Sequence, residues 1–327
     1  MVLDGKSSMA CGVVGYHVPL PGYELQASDF ERMAGNGLGW VEMDFAWNLI
    51  EPEPGVFDFS YYDEVTIAAR AHGLHVLAKL GNGYNGSRST VPGWTAHLGQ
   101  EAYLEALEVY GQAVLARYGN IIAAYALENE ANVALMHVSL GWRMGDWPRE
   151  RILAIWTRLG NLVRREAPQA PILLSLADLG PMAAALGQEG IETWLAAAAD
   201  AGVPYDHVGL QTYLCRFSGQ QDCYQATMGQ IQGIADLAGK PVTILETGLT
   251  STDPHHDEQS QAIFMQRIVQ AARDGGARGL FVYEYLDNPN EPDHPERGFG
   301  LMRPDRTPKP AWQAYGTAIA ALGEKRV

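Results

Sequence analysis

Eight short apolar runs, each followed by a stretch of helical periodicity, constrain this chain more than any other feature. The runs lie over 11–18, 38–45, 74–80, 121–127, 171–177, 207–213, 242–246 and 279–285. They are short and rich in Val, Ile and Leu, as strands buried on both faces must be. The stretches between them carry helix punctuation: Ser28 and Glu31 stand at capping-box spacing, Gly73 follows 60–72, and Pro148 opens a segment that ends before Pro168. A last helical segment covers 310–322. Eight strand-then-helix units predict a (β/α)8 TIM barrel, with 1–327 as one domain. The rival fold, a doubly wound open sheet, would show a glycine-rich turn after its first strand, where this chain reads PLPGYE.

In such a barrel the C-terminal strand ends share one mouth. Two of the runs end on acids. PVTILETG, 241–248, ends its apolar run on Glu246, and IIAAYALENEAN, 121–132, ends in Glu128, Asn129, Glu130 and Asn132. Strands four and seven lie across the ring from each other, so Glu130 and Glu246 are expected to face one substrate. Two carboxyl groups on opposite sides of an anomeric carbon break glycosidic bonds; in retaining enzymes they stand about 5–5.5 Å apart. Glu128 shares the alternation parity of Glu130 and is the alternative acid, expected inside the barrel below it.

Around these acids the chain resembles the clan GH-A glycoside hydrolases over most of its length. The resemblance is carried by WNLIEPEPGVFDFSYYD from Trp47 to Asp63, the Asn129-Glu130 pair, ILETG from Ile244, and FGLMRPDRTPKPAW from Phe299 to Trp312. The run after strand two is most similar to glycoside hydrolase family 39 and its relatives, with family 5 next. This resemblance implies a retaining β-glycosidase acting on a β-linked oligo- or polysaccharide without a cofactor. Glu130 would be the general acid/base, Glu246 the nucleophile, and Asn129 the partner of the hydroxyl beside the reacting carbon. The mechanism asks for a protonated Glu130 and an ionised Glu246 near neutral pH. Tyr213, ending strand six, is the candidate donor to Glu246.

The chain departs from its relatives in two strands. Where many carry an arginine in strand two, it reads Val41-Glu42-Met43-Asp44. Glu42 is left either to bind a basic or hydroxyl-rich substrate group or to pair with Lys79. Strand eight reads Phe281-Val282-Tyr283-Glu284 in place of the usual tryptophan, and the accessory β-sandwich of many family 39 β-xylosidases is not expected.

Carbohydrate clefts combine flat aromatic faces with carboxylates and amides. Trp47, Trp94, Trp142, Trp147, Tyr84 and Tyr285 follow strands or lie in loops on the mouth side and are the candidate platforms. Trp156, Trp194 and Trp312 lie within helices and are expected to pack. His17, ending strand one, is a site candidate, with His137 behind it. Glu284 and Asp287 follow the last strand, either to bind outer hydroxyls or to form a solvated rim. The alternative function is a barrel that binds a glycan without cleaving it. A phosphate-handling barrel would want glycine-rich loops after strands seven and eight, and LDNPNEPD would repel phosphate.

The balance of 38 acidic against 23 basic residues, a formal charge of −15, argues against nucleic acid or an anionic membrane surface as partner. No apolar window reaches the length of a membrane span, and no obligate protein partner is evident. The N-terminal stretch lacks the pattern of a signal peptide, so the expected compartment is the cytoplasm unless a signal has been removed. Cys11, Cys215 and Cys223 are an odd set, and free thiols are expected, although Cys215 and Cys223 could pair in an oxidising compartment. No spacing suggests a metal centre.

Overall fold

The computed structural model describes residues 9–15, 22–81, 84–85, 88–134, 148–180, 183–217, 223–289 and 295–323. Eight parallel strands close on themselves: β1 (Ala10–Val14), β2 (Trp40–Asp44), β3 (His75–Leu80), β4 (Ile122–Leu127), β5 (Ile172–Asp178), β6 (His207–Thr212), β7 (Val242–Thr247) and β8 (Gly279–Val282). The ring runs in sequence order and closes where β1 pairs with β8, Ala10 level with Gly279. Around it lie α1 (Ala27–Gly35), α2 (Ser60–Ala71), α3 (Gln100–Tyr118), α4 (Pro148–Glu166), α5 (Ile191–Asp200), α6 (Cys223–Ala238), α7 (Glu258–Asp274) and α8 (Pro310–Gly323). The fold is the (β/α)8 barrel that the alternation predicts.

Strands covered on both faces make two cores. Trp40, Leu77, Ala124, Leu173, Leu245 and Phe281 belong to a cluster that fills the barrel, while a larger cluster lies between the strands and the helices. Large residues inside need small ones opposite. A Cβ on Gly12 would stand 2.7 Å from Cε1 of Phe281, and one on Gly209 would collide with Leu245.

The seventh strand departs from regular pairing. Across β6 and β7, Leu210 is level with Ile244 but Gln211 is level with Glu246; across β7 and β8, Leu280 is level with Ile244 but Val282 with Thr247. β7 therefore carries one extra residue, a bulge at Leu245. Leu245 belongs to the interior cluster and Glu246 reaches Lys79 from β3, so two successive side chains point inward. Strict alternation would have turned one of them out to the helices.

Three expectations need correction. The N-terminal acid of α1 is Asp29, whose carboxylate accepts from the backbone N–H of Gln26 at 2.9 Å, so the capping pair is not Ser28 and Glu31. β8 stops at Val282; the Tyr283–Glu284 peptide is cis, and Tyr285 N–H donates to the Val14 carbonyl at 3.0 Å. Cys215, in the helical turn Leu214–Phe217 just past β6, and Cys223, the first residue of α6, form a disulfide, with Cα atoms 5.0 Å apart. Cys11 stays a buried free thiol.

Candidate active site

The bulge aims Glu246 into the barrel mouth, 7% exposed. Its Oε1 accepts from the Lys79 ammonium at 2.7 Å and its Oε2 from the Tyr213 hydroxyl at 3.1 Å. Tyr213 is the first residue past β6, one strand away, and its ring meets Tyr283 and Phe299 edge-on, at 6.3 and 5.8 Å between centroids.

Across the ring, β4 ends in a turn with two left-handed residues, Glu128 at φ 63° and Glu130 at φ 45°. Side chains other than glycine enter this region at a cost of about 1–3 kcal/mol each, so the surroundings must hold the turn. They do so with polar groups from β5 and β6. The Glu130 N–H points at Gln211 Oε1, 3.1 Å, and Ser175 Oγ, 3.2 Å, and the Ala131 N–H donates to the Ser175 carbonyl. Asn132 ties the turn to β5 and to the segment ahead of α5, accepting from Ala177 N–H at 2.7 Å and donating to the Ala177 and Glu189 carbonyls.

Asn129, between the two left-handed residues, links the strand ends. Its Oδ1 accepts from Lys79 Nζ at 2.9 Å and from Gln211 Nε2 at 2.6 Å. Glu246, Lys79, Asn129, Gln211 and the backbone of Glu130 thus form one hydrogen-bonded chain across the barrel. Glu130 is 6% exposed. Glu128 is not stacked below it: its carboxylate lies against Gly81 at the end of β3, within electrostatic reach of Tyr110 on α3 and Arg151 on α4.

Glu42 does not reach toward a ligand. It is fully buried and pairs with Lys79 at 2.9 Å, and Asp44, 3.7 Å from the same nitrogen, completes a trio of carboxylates around it. Burial alone would lower the Lys79 ammonium, but Glu246, Glu42 and Asp44 outweigh it and hold the lysine well above its usual range. Burial pushes Asp44 upward against the pull of Lys79. Lys79 was visible in the sequence as a possible partner of Glu42 but not of Glu246, and Gln211 only as an inward-parity polar residue in an apolar strand, HVGLQT.

The expected platforms among the described residues, Trp47, Trp94 and Tyr285, pack into or against the core. Trp47 is 0% exposed: its indole donates to Glu51 at 2.7 Å and stacks on Tyr110 at 5.4 Å, because the chain turns helical directly after β2 and tucks the ring under. Trp94 is half-buried, packs edge-on to Trp47 at 5.7 Å and donates to the Glu51 carbonyl. Tyr285 is buried beneath α1, its hydroxyl donating to Asp29 at 2.9 Å. Trp47→Ala should therefore cost about 3–5 kcal/mol of stability, as for other buried large-to-small changes. Chemical denaturation measures this; a loss under about 1 kcal/mol would contradict the packing role.

Glu284 and Asp287 do not form a solvated rim. Glu284 is buried and accepts from the Tyr23 hydroxyl; Asp287 is buried against Lys309, 2.7 Å away, whose ammonium also donates to Ser251 and to the Gly298 carbonyl. Burial pushes Asp287 up to about 6, with Lys309 opposing. The expected packing of Trp156 and Trp194 holds, their rings meeting edge-on at 5.5 Å. His17, Trp142, Trp147 and His137 lie outside the described residues, as does the side chain of Tyr84. Among the described residues no group of three or more His, Cys, Asp or Glu could hold a metal ion, and no helix is long and apolar enough to cross a membrane.

Comparison with known proteins agrees with this architecture. A glycoside hydrolase family 42 model, described as β-galactosidase, matches residues 21–130, from ahead of α1 to Glu130. A β-galactosidase of Xanthomonas manihotis is 34% identical over 115 residues, covering 29% of this chain and 19% of its own length. The chain spans less than a fifth of the length of the curated relatives it matches. Among solved structures, GH5_18 from Streptomyces cattleya in complex with GlcNAc superposes with a TM-score of 0.76 at 17% identity, over 98% of this chain and 82% of that one. A family 39 glycoside hydrolase from Bacteroides cellulosilyticus WH2 gives 0.69 at 19% identity, over 98% of this chain and 65% of that one. In its closed barrel the chain is similar to glycoside hydrolases of known structure, and in the sequence of its first units to the family 42 model.

Proposed function

We propose that this chain is a retaining β-glycoside hydrolase that cleaves a β-linked oligo- or polysaccharide by double displacement. The observation that carries the reading is the setting of Glu246, a strand-end carboxylate at the mouth, held through both oxygens and tied by way of Lys79 and Asn129 to the turn bearing Glu130. In the first step Glu246 attacks the anomeric carbon, the bond to the leaving oxygen breaks, and Glu130 passes that oxygen its proton. In the second, water attacks the same carbon, Glu130 takes the water's proton, and the bond to Glu246 breaks. Asn129 Oδ1 is engaged by Lys79 and Gln211, which fixes the direction of its amide for a donor role toward the sugar hydroxyl next door. Tyr283, half-buried beside Tyr213 and Phe299, supplies the aromatic wall at the end of β8.

Because the relatives matched in sequence are described as β-galactosidases, aryl β-galactosides head the substrates to be tried, followed by other aryl β-glycosides and by polysaccharides. Proton NMR of the first product tests the reading: the β-anomer is expected before mutarotation. An α-anomer as first product, or no turnover of any substrate, would overturn it. The Cys215–Cys223 disulfide supports an oxidising compartment as the place of action.

A further inference from the structure

Three buried carboxylates converge on one ammonium inside this barrel. Lys79 comes from β3 and crosses to Glu246 on β7, while Glu42 and Asp44 approach it from β2, the strand beside its own. In the register of β2 and β3, Asp44 is level with Lys79 and Glu42 with Leu77, one layer deeper. The level neighbour of Glu42 on its other side is Val14 of β1, which carries no charge. Asp44 has the neutral hydroxyls of Tyr62 and Tyr110 within electrostatic reach, and Tyr213 faces Glu246 from beyond β6. Among the described residues, the charges bearing on Glu42 are Lys79, Glu246 and Asp44.

One ammonium cannot neutralise three carboxylates in a dry interior, so at least one of the acids must keep its proton. Glu42 is the best placed to do so: it is fully buried, and its Oε2 has no hydrogen-bond partner among the described residues. Glu246, by contrast, has a donor on each oxygen.

We propose that Lys79 is the positioning residue that holds Glu246 for attack and that Glu42 regulates it, leaving the ammonium to Glu246 when neutral and competing for it when ionised. The inference rests on the reading of Glu246 as the nucleophile. It makes a cation on the third strand do the holding, with the acid at position 42 of the second strand as its adjustable counterweight. Burial, with Glu246 and Asp44 adding to it and Lys79 opposing, pushes Glu42 up to about 8. Glu42 therefore sheds its proton at the alkaline edge of the working range, and the hold on Glu246 loosens there.

The test uses the full chain and a dinitrophenyl β-glycoside that it turns over, because so good a leaving group needs no proton from Glu130. Lys79→Met should lower kcat about 10²-fold with a much smaller change in KM, as misplacement of a reacting group does. Lys79→Arg should recover part of the loss. Where Lys79→Met does not fold by circular dichroism, Glu42→Gln/Lys79→Met removes one uncompensated acid and serves in its place. In Glu42→Gln the ratio of kcat at about pH 9 to that at about pH 6 should rise several-fold over wild type.

Stability gives a second readout that does not depend on activity. The Glu42 value is raised from 4.5 to about 8, so its contribution is fully present below pH 4.5 and is lost as pH climbs to about 8. The wild-type Tm should fall more steeply over that window than the Tm of Glu42→Gln. A folded Lys79→Met with kcat within about three-fold of wild type would overturn the inference. So would a Glu42→Gln whose alkaline limb and Tm slope match those of wild type. If instead the wild type cleaves no glycoside, or Glu246→Gln is as active as wild type, it is the assignment of function that fails. Hydrolysis that needs Glu246 but ignores Lys79 sinks only the present proposal.

Discussion

Glu246→Gln should reduce turnover of an aryl β-glycoside by roughly 10⁴-fold or more, with far less change in KM, as loss of a nucleophile does elsewhere. The amide keeps the volume of the carboxylate and can still accept from Tyr213, so the pocket stays shaped while the attacking oxygen is gone. Lys79 retains Glu42 at 2.9 Å and Asp44 at 3.7 Å, which protects the variant from a buried unpaired ammonium. Folding is therefore expected to survive, and an unchanged Tm would show that the loss is chemical. Shortening the side chain further, Glu246→Ala, opens room for a small anion. Azide should then restore turnover and yield the glycosyl azide of inverted configuration, detected by NMR. Retained activity in either variant would remove Glu246 from the reaction.

Glu130→Gln should show a different signature. Its loss depends on the leaving group: about 10²–10⁴-fold for an alkyl or sugar aglycone, which must be protonated to leave, and much less in the first step for a dinitrophenol. With the good leaving group the second step becomes limiting, so the glycosyl-enzyme should accumulate as a mass increment on the peptide containing Glu246. Azide, which needs no base, should accelerate its release and give a product of retained configuration. The backbone argument supports the choice of substitution. Position 130 sits at φ 45°, where an unbranched replacement adds no new clash, whereas Val or Ile would add strain to the lost carboxyl. Equal, small effects on good and poor leaving groups would sink the acid/base assignment.

The barrel was legible because its signal is repeated: eight apolar runs with helical stretches between them tolerate errors at any single boundary. The acids at the ends of β4 and β7 were legible because the runs that carry them stop on them. What could not be read was which way a side chain leaves its strand end. Trp47 and Tyr285 both follow strands, as platforms would, yet each is folded under the neighbouring helices, since a large ring gains more by burial there than by standing at the mouth. Alternation also hid the bulge. Counted by parity, Leu245 and Glu246 belong to opposite faces, and only the extra residue in β7 turns both inward. Lys79 stood in plain view as the one lysine or arginine of its strand, and Glu42 was weighed as its partner. That the lysine also spans the barrel to Glu246 depended on register across the three strands between them, which no local pattern states. The pairing of Cys215 with Cys223 turned on loop geometry in the same way.

The insertion at Leu245 has a consequence for how this barrel can vary. In a regular strand an outward residue stands between any two that face the axis, and it insulates one inward position from the next. Here the side chain that plugs the cylinder and the one proposed to meet substrate are joined by a single peptide unit. Shifts of the plug, which leans on the bare backbone at Gly209, pass to the reagent without a spacer to absorb them. Interior volume and reactivity are mechanically coupled along this strand, so a lineage that refills the axis must also retune its chemistry.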